Sequence, residues 1–486
     1  MFISLWTVPL VLHALGASDY GIFNLVIGVV AMLSFINGAM TVSTQRYLSV
    51  TLAKNDNYQL NKIFNGSLVL HLTIALIIVI LFEIAAPFLF SGQLNIPVER
   101  QKAAQIVFQC LILNLFLTII SVPFDATLNA YENMLAYSII SIIEALLKLA
   151  LAFSLSYWLT GDLLVFYGIG LLVVTLITVL MKIIYTLIKY RVLRVSLVHF
   201  FDKKIFYEMF GFAGWNTFGA MAGVGRTQGI AIILNLFYGT IINAAYGIAN
   251  QVNGVLNYFS TTIQKSINPQ LMQQEGCGNR TQMVRYAHIS SKYSNLMIGM
   301  LAIPLFIEAP YVLRLWLHDL PDNTIIFVRL ILIMAVINQF SAGIMSAFQA
   351  TGRIKVYQLV VGSLLLINIP IGYFLLKYGL PAYSILISAI IVDIIALICR
   401  LIIANITISD FNCYNFITRI IIPNSVLLVI CTICLYYEKM LMQESFIRLI
   451  VICLSSVVLI CVPTYLLLMD NVERNKINHF FKIRHE

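Results

Sequence analysis

Apolar runs set the fold class. Fourteen of them, most about 18 to 27 residues long, follow one another from 2–15 and 22–44 through 211–237 and 241–263 to 420–437 and 449–469. At 1.5 Å of helical rise per residue, such a run crosses a hydrocarbon core of roughly 30 Å. Strands with open edges would leave backbone groups unpaired in lipid, so each run is expected to be a helix. The chain is 60% hydrophobic and 10% charged, with a mean hydropathy of +0.92. A soluble domain carries roughly 25% charged residues, and the class is therefore all-α and integral to a membrane. The first run has no Lys or Arg before it and lacks the charged start of a signal peptide, so it reads as the outer part of a first membrane helix.

The net charge of +9 follows the same logic. With the turn at 16–21 placed outside and the loops alternating thereafter, inner loops hold twenty Lys and Arg and outer loops six. The positive-inside rule then puts the tail from 470 in the cytoplasm. Because these cations lie at membrane edges, topology accounts for them and no nucleic-acid partner is expected. Cys431 and Cys434 form a C-x-x-C inside "VICTICLYY", with neither a flanking His nor a second pair. Helix packing is expected of them, and no metal or other cofactor.

Landmarks recur along the chain in one order. Tyr20, Gly21, Ile22 and Asn24 match Tyr246, Gly247, Ile248 and Asn250 at an offset of 226. Pro87 matches Pro310 and Pro97 matches Pro321 at 223 and 224, and "AYENMLAY" at 130–137 matches "ATGRIKVY" at 350–357 at 220. Collinear matches at slowly drifting offsets point to two homologous halves of six spans each. An even number of spans makes them parallel repeats about an axis along the membrane normal. The expected division is a six-helix bundle over 1–190, a basic cytoplasmic linker over 191–210, a second bundle over 211–404, two further membrane helices within 405–469, and a tail over 470–486.

The segment "LGASDYGIFNLV", the basic loop after "TQRYLSVTLAKND", and the later "INPQLMQQ" and "QATGRIKVYQ" resemble the polysaccharide-transport, Wzx-like flippases. These belong to the multidrug/oligosaccharidyl-lipid/polysaccharide (MOP, MATE-like) exporter superfamily. The resemblance covers nearly the whole chain. It implies about fourteen transmembrane helices, with two six-helix bundles forming a V-shaped central cavity plus two extra C-terminal helices. It also implies a multi-pass protein of the bacterial inner membrane that moves undecaprenyl-pyrophosphate-linked oligosaccharides, as O-antigen, capsule or exopolysaccharide units, between leaflets. Membrane lipid and the lipid-linked glycan would be its partners, with a polysaccharide polymerase or chain-length regulator alongside and the monomer as the working form.

Charges inside the runs are the candidate site residues. Arg226 is the one formally charged side chain between Glu208 and Lys265 and lies near the middle of the seventh run. Arginine at such depth costs roughly 2.5–3.5 kcal/mol on insertion scales, so it is expected to face protein or a water-filled cavity. Its fork of donors suits phosphate oxygens, and a buried structural role bonded to carbonyls is the competing account. In the next run Asn243, Asn250, Asn257 and Gln264 are spaced by sevens on one face, where their amides would meet sugar hydroxyls or neighbouring helices. Glu144 and Lys148 stand at i, i+4 in the favourable order and are expected to pair; ion coupling through Glu144 and substrate contact through Lys148 are the functional alternatives. Asp393 has no partner within one turn of its own helix. It would either carry a proton with a raised pKa or pair with a cation from another helix. Arg46, at the inner end of the second run, would meet an entering phosphate or anchor at the headgroups.

Three functional classes remain. A lipid-linked oligosaccharide flippase needs a cation at depth, polar faces for sugars and no reaction chemistry. A multidrug or metabolite exporter of the same superfamily would favour buried acid in the first bundle, yet the first two runs contain no Asp or Glu. A membrane-bound polymerase or glycosyltransferase would show catalytic groups on a large aqueous loop, whereas no outer loop exceeds about sixteen residues and Glu99, Asp319 and Asp322 have no acid–base spacing. No G-x-x-x-x-G-K-[ST] is present, so the reading is a secondary transporter and not an enzyme.

Overall fold

The computed structural model describes residues 2–31, 34–90, 96–157, 161–196, 202–317, 321–470 and 473–475. Asp319 and most of the expected basic tail lie outside the described residues. Within them the chain is helical, without a strand. The helices are α1 (Phe2–Ala31), α2 (Ser34–Ala53), α3 (Asn57–Phe88), α4 (Gln101–Ala130), α5 (Met134–Tyr157), α6 (Leu163–Lys189), α7 (Lys203–Gly276), α8 (Arg280–Ile307), α9 (Ala309–Leu317), α10 (Thr324–Gln339), α11 (Ala342–Thr351), α12 (Lys355–Lys377), α13 (Ser384–Thr407), the short α14 (Cys413–Phe416), α15 (Ile422–Leu441) and α16 (Phe446–Pro463).

Nine of the described helices are long and apolar enough to cross a membrane, and twelve if each sharply bent pair is one span. The fourteen expected runs differ from this at two places. The first two runs share α1, which bends by 116° between Leu10–Gly16 and Ser18–Gly28. From Ser34, α2 runs to Ala53, well past residue 44, in a polar stretch that includes Gln45 and Arg46. The eighth run is the part of α7 after Gly239, where the row of amides lowers the hydropathy.

Three turns share their backbone conformation between the first and second halves of the chain. Gly16 and Gly239, 223 residues apart, both take φ 75° and break α1 and α7. Asn55 and Gly278, again 223 apart, take φ 55° and 75° and precede N-caps at Asp56 and Asn279. Each cap accepts the amide hydrogen three residues on, from Gln59 at 2.9 Å and Gln282 at 3.2 Å. Glu132 and Gly352, 220 apart, take φ 57° and 76° between α4 and α5 and between α11 and α12.

The chain divides into two compact units, Met1–Ala220 with Met272–Gly278 and Met221–Leu271 with Asn279–Glu486. In unit 1, α1, α3 and α4 bury Val26, Ala104, Val107 and Phe108 in one core. Phe64, Leu60, Phe124 and Met209 fill a second core. One end of the unit is clipped by Arg100, whose guanidinium holds Asp162 with two bonds of 3.0 Å and Asp19 through Nε at 2.9 Å and through Nη2. Further along α3, Asn61 and Asn65 pair with an extended backbone segment as a strand would. Their amides donate to the carbonyls of Val192 (2.9 Å) and Arg194 (2.8 Å), and their oxygens accept from the amides of Arg194 (2.7 Å) and Ser196 (2.8 Å). The basic segment expected as a linker is thereby tied to the bundle up to residue 196, and Asp202 caps α7, whose first residue Lys203 is eight residues before 211.

In unit 2, α10, α13 and the part of α7 after Gly239 share a core around Phe327, Ala245 and Ile385. A second core packs α15 and α16 onto α8 through Leu428, Cys431, Leu435 and Ile452. Cys431 is buried there and Cys434 faces outward. Exposed Ile, Leu and Val line the outer faces of α3, α6, α12, α13, α15 and α16, as lipid-facing helices require.

Candidate functional site

Each unit has its own polar group at the depth of its spans. In unit 1 a cavity of about 330 Å³ lies among α1, α4, α5 and α6. Its walls carry Glu144, Lys148, Lys182, Asn114, Thr118 and Thr175. The i, i+4 spacing on α5 does what the sequence predicts, with Lys148 Nζ 2.6 Å from Glu144 Oε1. Across the cavity Lys182 of α6 donates to Asp125 of α4 at 2.9 Å, and Ser121 donates to the same oxygen at 3.3 Å. Asn114 donates to the Thr175 hydroxyl at 2.9 Å. The cavity thus holds two ammonium groups and one carboxylate on its walls, with a second carboxylate bonded just behind.

Lys182 was not singled out by sequence. The signal was present: a lysine five residues inside a run ending at 187 stands out as Arg226 does. Its partner was invisible, because Asp125 is 57 residues away on another helix.

In unit 2, Arg226 and Asp393 come together. Nη1 of Arg226 donates to Oδ1 of Asp393 at 2.6 Å, and Asn338 of α10 donates to Oδ2 at 3.0 Å. The Asp393 side chain is fully enclosed and that of Arg226 is 13% exposed. Asp393 is thus paired with a cation from another helix. The glycines around Arg226 include two that let helices approach: a Cβ at Gly225 would lie 3.3 Å from Leu366, and one at Gly229 2.7 Å from Ile369. Tyr246, buried beside Arg226, donates its hydroxyl toward the Thr227 carbonyl at 3.4 Å and shares a side-chain hydrogen bond with Asn250.

The amide stripe is not uniform. Asn243 and Asn250 are half-buried, and Asn257 is exposed. Gln264 donates to the Ser260 hydroxyl at 3.1 Å, and Ser260 donates to Gln339 at 2.5 Å, so that end of the stripe is tied to α10. Arg46 sits in unit 1 with its guanidinium 4.7 Å from the Tyr47 ring centroid and 5.0 Å from that of Phe212. Glu208 and Glu275 are near enough to act on it electrostatically. Both ring distances are within cation–π range.

No protein-family model matches the sequence, and no curated protein matches it. Solved structures do. An outward-facing multidrug resistance MATE family transporter of the MOP superfamily is 17% identical, with a TM-score of 0.70 over 84% of this chain and 93% of that one. The chain has the MATE transporter fold. A MATE protein in its bent conformation gives a TM-score of 0.72 at 16% identity, over 84% of this chain and 93% of that one. A MOP superfamily transporter from Pyrococcus furiosus, described as having a binding pocket of reverse polarity that suggests a different function, gives 0.68 at 15% identity, over 84% and 94%. These likenesses make the chain a multi-pass membrane protein of MATE-like architecture.

Proposed function

We propose that the chain is a secondary transporter that carries an undecaprenyl-pyrophosphate-linked oligosaccharide from the inner to the outer leaflet of the bacterial cytoplasmic membrane by alternating access. The observation that carries this reading is the matching of charges at depth. Asp125 is paired with Lys182, Glu144 with Lys148 and Asp393 with Arg226. An exporter of cationic compounds needs a carboxylate free to take its cargo, and each of these three is held by a base. The bases suit a pyrophosphate: ammonium and guanidinium groups bond phosphate oxygens through charge-assisted hydrogen bonds, and an arriving phosphate can take the place of a carboxylate without stranding a bare cation. The amides of Asn243, Asn250 and Asn257 supply donors and acceptors for sugar hydroxyls. A glycan polymerase or chain-length regulator would work beside it, with the C-terminus in the cytoplasm.

Multidrug export is the second reading, favoured by the described role of one structural neighbour. Reconstitution in liposomes separates the two. The flippase reading expects translocation of a fluorescent polyprenyl-pyrophosphate oligosaccharide, loss of that activity in Arg226→Ala, partial recovery in Arg226→Lys, and no transport of ethidium. Ethidium transport that is indifferent to Arg226→Ala would overturn it.

A further inference from the structure

Unit 2 carries a groove whose lining does not include Arg226 or Asp393. Two cavities meet at Phe306 and Thr432 between α8, α10 and α15. One, of about 440 Å³, is lined by Arg329, Lys439, Tyr436 and Tyr437. The other, of about 270 Å³, is lined by Ile303, Ile333, Val336 and Leu428. Together they form a cationic mouth opening onto an apolar floor. Ile333, Val429, Ile433, Tyr436 and Tyr437 are exposed along it, on helices suited to crossing a membrane, so the groove opens to acyl chains.

The mouth is built rather than incidental. Nε of Arg329 donates to the Phe306 carbonyl at 3.1 Å, with the guanidinium 5.3 Å from the Phe306 ring centroid. Lys439 donates to the Ile307 carbonyl at 2.8 Å. Both carbonyls belong to the last turn of α8, which leaves them without intrahelical partners. These bonds to neutral carbonyls orient the two cations. Lys439 makes a long ion pair of 3.9 Å with Glu308, whose buried carboxylate is held more closely by Arg448 at 2.6 Å. Among the described residues, Arg329 has no carboxylate within ion-pair distance. Tyr436 and Tyr437 add the amphipathic rings found where apolar chains meet headgroups. From Arg329 to Ile337 the floor runs eight residues along α10, about 12 Å.

We infer that this groove binds an anionic phospholipid of the surrounding bilayer, its phosphate between Arg329 and Lys439 and one acyl chain along the apolar floor. Basic pockets between membrane helices select anionic headgroups in this way. Native mass spectrometry of the full chain in detergent, titrated separately with phosphatidylglycerol and phosphatidylcholine, tests it. Phosphatidylglycerol binds more tightly to the unmodified chain, and Arg329→Ala and Lys439→Ala each weaken it about fivefold while weakening phosphatidylcholine, whose choline offsets the phosphate charge, less. Arg329→Lys retains most of the preference. Ile333→Trp, which fills the floor and keeps the charges, weakens both lipids. These last two variants keep the test decisive where an alanine variant fails to fold. Equal affinity for the two lipids, or phosphatidylglycerol binding unmoved in the Arg329→Ala/Lys439→Ala chain, overturns the inference. Tighter, variant-sensitive binding of undecaprenyl phosphate than of phosphatidylglycerol overturns it too, because the groove would then belong to a cargo tail.

Discussion

Replacing Asp393 with Ala leaves the Arg226 guanidinium without its counter-charge in a site where the side chain is 13% exposed. Stranding one member of a buried pair costs about 3–5 kcal/mol. For a unit of more than 200 residues each kcal/mol moves the melting temperature by roughly 2–4 °C, which gives a fall of about 6–20 °C. Arg226→Ala is milder, because Asp393 keeps the 3.0 Å bond from Asn338. Replacing both charges by apolar groups, Arg226→Met with Asp393→Leu, removes the desolvation cost along with the attraction and is expected to melt near the unmodified chain. Scanning fluorimetry of the four proteins in one detergent sets the single losses against the paired apolar replacement. A shift under 2 °C for Asp393→Ala, or a double variant that melts as low as the two single losses added together, would refute the claim that the two charges hold one another.

Other positions give independent checks. A Cβ on Gly343 would lie 1.8 Å from the Ala287 carbonyl oxygen, so Gly343→Ala should push α11 off α8 and lower stability by about 3 kcal/mol or more, while Gly247→Ala, with open space around it, should melt normally. Glu132 holds φ 57° where the matching turn has Gly352, so Glu132→Gly should raise the melting temperature slightly, by the strain of about 1 kcal/mol that an L-residue carries there. Lys62 and the amides of Ile205 and Lys204 hold the Asp202 carboxyl below the usual carboxylate range. The cap of α7 is therefore expected to be intact above about pH 4 and lost as pH falls through the lowered native value. Hydrogen exchange at residues 204–206 should quicken on acidification in the unmodified chain and be fast and nearly pH-independent, after intrinsic correction, in Asp202→Ala.

What the sequence made legible was what short range encodes. Hydropathy marked most of the spans, since a run of apolar residues needs no partner to be recognised. The i, i+4 order of Glu144 and Lys148 located a pair, because helical geometry alone brings those groups together. The turn at Glu132 falls within the matched segments 130–137 and 350–357. Long range stayed hidden. Arg226 announced itself by its charge, but the 167 residues to Asp393 carry no local trace of the contact. Arg329, inside an apolar run just as Arg226 is, drew no attention, since its use depends on the end of α8 and on α15 packing beside it. Asp125 likewise finds its lysine 57 residues away on α6, with no local trace of the contact.

The energetics of these pairs bear on why they persist. An ion pair buried between helices adds little stability over an apolar pair of the same shape, so Arg226–Asp393 and Lys182–Asp125 are poorly explained as fasteners. Their effect on insertion is clearer: a lone cation at bilayer depth is costly, and a neighbouring carboxylate offsets much of that cost while keeping the cation in place. A fastener and a held-ready cation respond differently to one exchange. Lys182→Met with Asp125→Leu should leave the unit 1 cavity folded and the melting temperature near its original value. If Lys182 is kept for a phosphate, this variant should nevertheless lose binding of the pyrophosphate-linked oligosaccharide. Full binding by a well-folded variant would return the pair to a structural role.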